Sequence, residues 1–304
     1  MFDVIIVGAG PAGLTSGIYA ARAGYKTLIL EAGVPGGQAG TTETIENYPG
    51  FPQGVSGSEL MIKFYEQAVN FGVQVEYKHV SSLELEGKVK KVITDDEVYE
   101  AKAVIIASGA RPRLLGVPGE DKFRGKGVSY CATCDGFFFK DQDVAVVGGG
   151  DTAIEEAMYL AKICRQVTVI HRRDRLRATR ILQERAFQNE KIQFVWDSVV
   201  EEILGKEKAE ELVLRNVITQ EQKILKVNGV FIFVGYIPNT DFLPESLQKD
   251  EQGYVLTDEE LKTNLPGVFA VGDVRQKRLR QVATAVGDGA SVIVPLEKYL
   301  EDRG

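Results

Sequence analysis

Residues 3–7, Asp-Val-Ile-Ile-Val, run straight into Gly8-Ala9-Gly10-Pro11-Ala12-Gly13. No other feature constrains the fold as strongly. A continuous apolar run suits a strand of a parallel sheet covered on both faces. Glycines at the first, third and sixth positions permit a tight turn, the approach of a pyrophosphate and close packing of helix on strand. Beyond them the pattern predicts a helix over 12–23, closed by Gly24, and a second strand over 27–30 that ends at Glu31. The start of such a helix presents free N–H groups and a positive dipole to phosphates. Glu31 lies 18 residues after Gly13, where a carboxylate accepts hydrogen bonds from ribose hydroxyls. A bare glycine-rich turn is the competing explanation. Strand, helix and acid together favour a nucleotide site.

The same sentence is then repeated. A strand over 143–147 enters Gly148-Gly149-Gly150-Asp151-Thr152-Ala153, followed by a helix over 152–163 and a strand over 167–170. Alternating strands cover about 192–227, and an apolar strand over 229–234 ends at Gly235. The expected fold class is α/β, with two Rossmann-like, three-layer ββα nucleotide-binding domains in tandem. The second is expected to interrupt the first. Residues 265–273 and the helix after them have no counterpart in the second unit, so they complete the first. The expected boundaries are 1–112 plus 242–304 for one domain and 113–241 for the other. Pro112, Pro118, Pro238 and Pro244 fall near the crossings and suggest hinge-like linkers. The long loop over 33–52 has Gln38 and Asn47 as its best-placed polar side chains.

The units differ where the ribose belongs. In the second, His171 lies 18 residues after Ala153, and Arg172, Arg173 and Arg177 follow it. An acid suits a free 2′-hydroxyl, whereas arginines suit a 2′-phosphate through charge-assisted bonds. The alternative is a solvated basic helix over 171–180; the register with Glu31 favours phosphate. Two nicotinamides cannot both do chemistry without an acceptor, so FAD is assigned to the first site and NADPH to the second. Asp273 ends the strand over 269–273 and is placed to reach the flavin's ribityl chain. The helix starting near Gln281-Val282 points its positive end at the flavin ring, where it favours the reduced anion. A buried strand end and an ordinary helix start are the plainer alternatives.

Between the two signatures stands Cys131-Ala132-Thr133-Cys134-Asp135. A zinc site would want four ligands, and neither Cys164 nor His79 nor His171 has ligand spacing to the pair, so no metal is expected. A purely structural disulfide suits an oxidising compartment, and three cysteines do not make a secreted framework. The redox assignment needs a thiolate, a resolving thiol and a proton carrier; Cys131, Cys134 and Asp135 supply them, although Asp135 also fits a turn or cap. Cys164 reads as a small buried hydrophobe. The net charge of −7 and pI near 5.2 argue against nucleic acid. No apolar run approaches the roughly 20 residues of a membrane span, the N-terminus reads as a strand and not a signal peptide, and a cytoplasmic location is expected.

Together GAGPAG (8–13), GGQ (36–38), ENYPG (46–50), CATCDGFF (131–138), GGGDTA (148–153), HRRDRLRA (171–178), GVFAVGD (267–273) and RQVATA (280–285) resemble the low-molecular-weight thioredoxin reductases over essentially the whole chain. That resemblance implies FAD, NADPH, a homodimer and thioredoxin as the protein substrate. It implies Cys134 as the flavin-proximal sulfur, Cys131 as the thiol that attacks thioredoxin and Asp135 as acid/base. The FAD positions are Gly8, Gly10, Pro11, Ala12, Gly13, Glu31, Gly37, Gln38, Asn47, Val80, Ala107, Gly109, Gly272, Asp273, Arg280, Gln281 and Val282. The NADPH positions are Gly148, Gly150, Asp151, Thr152, His171, Arg172, Arg173, Arg177 and Gly235. Ser108 stands where many members carry threonine, and Asp151 where many carry asparagine. Some relatives lack the arginines and use other electron donors; this chain keeps them. With one CxxC to meet both flavin and partner, the inserted domain is expected to rotate between half-reactions. Phe137, Phe138 and Lys126 flank the pair and either meet thioredoxin or, for the phenylalanines, join the core. The nearest rival is a flavoprotein reductase of a peroxiredoxin, which usually carries an N-terminal thioredoxin-like extension. A non-catalytic nucleotide-sensing module is the distant one.

Overall fold

The computed structural model describes residues 1–42 and 44–302, with the side chain of Cys134 left outside the description. The chain divides into two compact units, Met1–Arg111 with Ile237–Gly304, and Pro112–Tyr236. The second unit is therefore inserted into the first. The second crossing falls at 236/237 and not after 241, for a local reason. The Asn239 N–H donates to the Gly109 carbonyl at 3.0 Å, and the Ser108 hydroxyl donates to the Asn239 carbonyl at 2.8 Å. Those bonds tie 237–241 to the first unit. The two crossings, Ala110–Pro112 and Tyr236–Pro238, pair as a two-stranded sheet.

In the first unit, Gln74–Tyr77, Thr27–Glu31, Phe2–Val7 and Val98–Ile106 lie side by side, all parallel. Val268–Ala270 adds parallel to the far end of Val98–Ile106. This is the return of the C-terminal segment to the first domain. Val98–Ile106 makes the sheet mixed: its first residues also pair antiparallel with Lys90–Thr94, which pairs with Val80–Glu84, giving seven strands in one sheet. Alternation along the strands sorts the core into two layers. Val4, Ile6, Ile29 and Ile105 face the helices, whereas Ile5, Val7, Leu28 and Val104 face the antiparallel strands. Both faces are covered, which explains the unbroken apolar runs.

The second unit repeats the plan. Its parallel sheet runs Ile192–Val195, Gln166–Ile170, Asp143–Gly148, Gly229–Phe233, Val128–Ser129. An antiparallel sheet of Ser198–Leu204, Glu211–Asn216 and Gln222–Lys226 supplies the second layer, and the helix Asp151–Ile163 packs in the third. Residues 171–179 are irregular backbone, and the helix there is Arg180–Phe187. The basic stretch is thus a loop, not a helix. Cys164 caps the end of Asp151–Ile163; burial pushes its thiol up to about 11, and it is free.

Candidate functional sites

Each unit carries one glycine cradle, and the two have the same construction. The first glycine is tight. Gly8 has φ +107° and Gly148 φ +152°, and a Cβ on either would stand 2.4 Å from a carbonyl oxygen, of Ala107 and of Phe233 respectively. The last position brings helix onto strand. A Cβ on Gly13 would lie 1.9 Å from the Gly8 carbonyl oxygen, whereas the second unit has Ala153 there. The middle glycine is different in kind. Gly10 and Gly150 each have nothing within 4 Å of a built Cβ. Their lack of a side chain is not required by the protein's own packing. It leaves room for a ligand to touch the backbone at the start of Pro11–Arg22 and of Asp151–Ile163.

Around the first cradle the chain gathers distant segments. The Glu31 carboxylate accepts from the Ala9 N–H at 2.7 Å and the Gly33 N–H at 2.9 Å, so it braces the turn at the rim of the cradle. Gly37 follows a positive-φ glycine, Gly36, whose N–H donates to the Ala9 carbonyl, and a Cβ on Gly37 would lie 3.5 Å from Gly10. Gln38 is exposed on the short helix Gly37–Gly40. The exposed Asn47 amide donates to the Gln281 side-chain oxygen at 3.0 Å, joining two candidate positions 234 residues apart. Gln281 caps Val282–Ser291 through a reciprocal capping box with Thr284. That helix packs on Pro11–Arg22 so closely that a Cβ on Gly289 would lie 2.5 Å from the Ala12 carbonyl oxygen. Ala12 and Ala107 are buried, and Gly109 turns with φ +66°. Val80 is buried in the sheet core.

Gly272 and Asp273 form a turn just after the strand Val268–Ala270. Burial raises the Asp273 carboxyl above its ordinary range, and its Oδ1 is buried with no hydrogen-bond partner. The Arg280 Nε is likewise buried and unpartnered, with the guanidinium 4.0 Å over the Tyr254 ring. An unsatisfied buried carboxylate oxygen is costly, and a bound polar group offsets that cost. Sequence reasoning missed what holds this turn: Asp288. Its carboxylate accepts from the Gly272 N–H at 2.9 Å, from Arg275 at 3.0 Å and from Lys277 at 2.8 Å. Burial alone would raise its pKa, but those two cations hold it below the usual carboxylate range. No spacing rule singles out an acid seven residues into a helix.

In the second unit, Asp151 opens the helix and accepts the Thr179 N–H at 2.6 Å, while the Arg177 N–H donates to the Gly149 carbonyl at 2.7 Å. The basic loop is thereby pinned over the glycine turn. Arg172, Arg173 and Arg177 are exposed and have no ion-pair partner among the described residues. Thr152 is half-buried, and Gly235 turns with φ +119° over open space. His171 goes inward. It is 5% exposed, packs edge-on to Trp196 and sits where a Cβ on Gly149 would lie 2.5 Å from its ring. Burial, with Arg177 next, lowers its pKa, and its Nε2 is buried without a partner. It stands beneath the loop, under the arginines.

The cysteine stretch belongs to the second unit. The strand Val128–Ser129 leads through Tyr130 to Cys131 and the short helix Ala132–Asp135. Gly136 lets the next turn press on the helix Asp151–Ile163; a Cβ there would lie 3.0 Å from Leu160. Cys131 is disulfide-bonded. The side chain of Cys134 lies outside the described residues. The Ser129 hydroxyl donates to Asp135 Oδ2 at 2.6 Å and receives the Cys131 N–H at 3.1 Å. Ser129 carried no signal in the sequence. Phe137 and Phe138, next along the chain, are 71% and 74% exposed.

A model of the pyridine nucleotide-disulphide oxidoreductase family matches residues 2–289. The chain belongs to this family. Among its relatives is a thioredoxin reductase of Peptoclostridium acidaminophilum, 48% identical over 307 residues that span 99% of this chain and 98% of that one. The Bacillus subtilis thioredoxin reductase is 45% identical, across 99% of this chain and 96% of its own. A crystal structure of Lactococcus lactis thioredoxin reductase in the FR conformation superposes with a TM-score of 0.97 at 48% identity, covering 99% of this chain and all of that one. The cofactors of the family's thioredoxin reductases, FAD and NADPH, fit the residues present. Two open middle glycines leave room for two phosphate-bearing ligands, and the orphaned Asp273 and Arg280 atoms lie in the first unit. No helix among the described residues is long and apolar enough to cross a membrane.

Proposed function

We propose that the chain is an NADPH-dependent thioredoxin-disulfide reductase. The observation that carries this is the disulfide-bonded Cys131 beside an acid, in the same unit as a glycine cradle overhung by unpaired arginines. Met1–Arg111 with Ile237–Gly304 is the FAD-binding domain, and Pro112–Tyr236 the NADPH-binding domain. Gly10, Glu31, Asn47, Asp273, Arg280 and the Val282–Ser291 helix hold FAD. Gly150, Thr152 and Arg172, Arg173 and Arg177 hold NADPH, with the inward His171 and the pinning Asp151 shaping the loop. Bound NADPH supplies a hydride, and bound FAD carries its two electrons to the cysteine disulfide.

The remaining steps belong to the chain's own residues. The reduced pair holds two thiols, and Asp135 carries the proton that the departing sulfur needs. The Cys131 thiolate attacks the thioredoxin disulfide and releases one thioredoxin thiolate; Cys134 then attacks the Cys131 sulfur, releases the second and re-forms the disulfide. Phe137 and Phe138 offer apolar contact to that partner. One CxxC serves both flavin and partner, so the inserted unit reorients about the two crossings between half-reactions. Homodimer, typical of the family, and cytoplasm, from the small cysteine count, complete the proposal.

The test is NADPH oxidation in the presence of oxidised thioredoxin. Turnover is expected to require thioredoxin and to vanish in Cys131→Ser and Cys134→Ser, while flavin stays bound. Thioredoxin reduction that survives loss of either thiol would overturn the assignment.

A further inference from the structure

We propose that Ser129 is a positioning residue for proton transfer, acting through Asp135. This rests on the assignment of Asp135 as the acid/base of disulfide reduction. A serine hydroxyl has one proton and two lone pairs. Ser129 Oγ lies 2.6 Å from Asp135 Oδ2 and 3.1 Å from the Cys131 carbonyl oxygen, and the Cys131 N–H points at it from 3.1 Å. The shortest distance has the length of a charge-assisted O–H to carboxylate bond. The proton therefore goes to Asp135, and the Cys131 N–H occupies an acceptor lone pair. One hydroxyl binds both the backbone of the attacking cysteine and the carboxylate of the acid.

The anchor matters because of where each partner stands. Ser129 is 5% exposed on the strand Val128–Ser129, which pairs with Gly229–Phe233 at the edge of the parallel sheet. Asp135 ends a four-residue helix that also contains Cys134. That helix is held locally by the Asp135 N–H to the Cys131 carbonyl, at 3.2 Å. Opening and closing the disulfide changes the covalent constraint on this segment in every cycle. The sheet does not change. A bond from the sheet to Oδ2 keeps the acid in place through both states and leaves Oδ1 for proton exchange.

The experiment uses the flavin-loaded protein with NADPH and oxidised thioredoxin. Ser129→Ala is expected to lower kcat about tenfold and to leave the KM for thioredoxin within about twofold. Flavin content and the rate of bleaching by NADPH should stay at parent values, which reports an intact fold. Ser129→Thr, which keeps the hydroxyl, should restore the parent kcat. The effect is assigned to Asp135 by repeating Ser129→Ala in an Asp135→Asn background, where it should lower kcat no further. If Ser129→Ala does not fold, Ser129→Cys replaces it with the same expectation. An unchanged kcat in a folded Ser129 variant, with Asp135→Asn impaired, overturns this inference alone. Full thioredoxin reduction by Asp135→Asn overturns the acid assignment beneath it.

Discussion

Replacing Gly10 by alanine separates what the fold needs from what the ligand needs. The backbone at Gly10 is extended, with φ −76° and ψ −176°, which any residue adopts. A Cβ there meets nothing within 4 Å. Alanine narrows the unfolded ensemble and so stabilises by about 0.4–1 kcal/mol. It is a poorer N-cap than glycine, which takes back a few tenths or more. The apoprotein should therefore stay within about 0.5 kcal/mol of the parent. The methyl fills the space through which a pyrophosphate approaches. Flavin present at about 100 times its Kd stabilises the parent by about 2.7 kcal/mol, and the variant should lose most of that. Gly13→Ala is the opposite case: its Cβ would sit 1.9 Å from the Gly8 carbonyl oxygen, and overpacking of that order costs about 3 kcal/mol or more. The assay is flavin absorbance of the purified protein beside denaturant unfolding with and without added FAD. A Gly10→Ala protein carrying a full flavin complement would refute the reasoning. So would an apoprotein as damaged as Gly13→Ala.

Other outcomes follow from the same geometry. Gly150→Ala, also open and extended at φ −92° and ψ −179°, should keep flavin and raise the KM for NADPH at least tenfold in steady-state kinetics. Replacing Arg172, Arg173 and Arg177 together by alanine should weaken NADPH by roughly 100-fold and leave NADH nearly unchanged, since exposed ion pairs contribute up to about 1 kcal/mol each and all three are exposed; measured KM ratios decide it. Asp273→Asn should make the apoprotein more resistant to urea at pH 7. Burial raises the folded pKa of Asp273, so ionisation costs stability as pH climbs above the ordinary 3.8, while flavin affinity should fall. Asp288 has the reverse sign. Its folded pKa is depressed, so its contribution is complete above pH 3.8 and is lost as pH falls below it. Asp288→Asn should cost about 3–5 kcal/mol at pH 7, because Arg275 and Lys277 lose their buried partner, and should flatten the acid limb of unfolding.

Much of the architecture was legible because it is written in local pattern. Apolar runs met glycines at fixed spacing, and the unmatched C-terminal segment pointed to an inserted domain before Val268–Ala270 was seen to pair with Val98–Ile106. Three things were not local. Val98–Ile106 pairs parallel with one neighbour and antiparallel with another, and nothing in nine residues of mixed polarity announces that. Asp288 and Ser129 act through partners that only the fold brings near. His171 stands at the spacing that Glu31 has in the first unit but turns inward, because Gly149 has no side chain to keep the imidazole out. Motif spacing finds residues that face a ligand. It does not find the residues that hold those residues still.

The most direct test of the central claim is an anaerobic titration of the flavin-loaded protein with NADPH, followed by oxidised thioredoxin. The proposed function predicts that the flavin absorbance bleaches with NADPH and returns when thioredoxin is added. A flavin that NADPH leaves oxidised, or one that stays bleached with thioredoxin present, would contradict it.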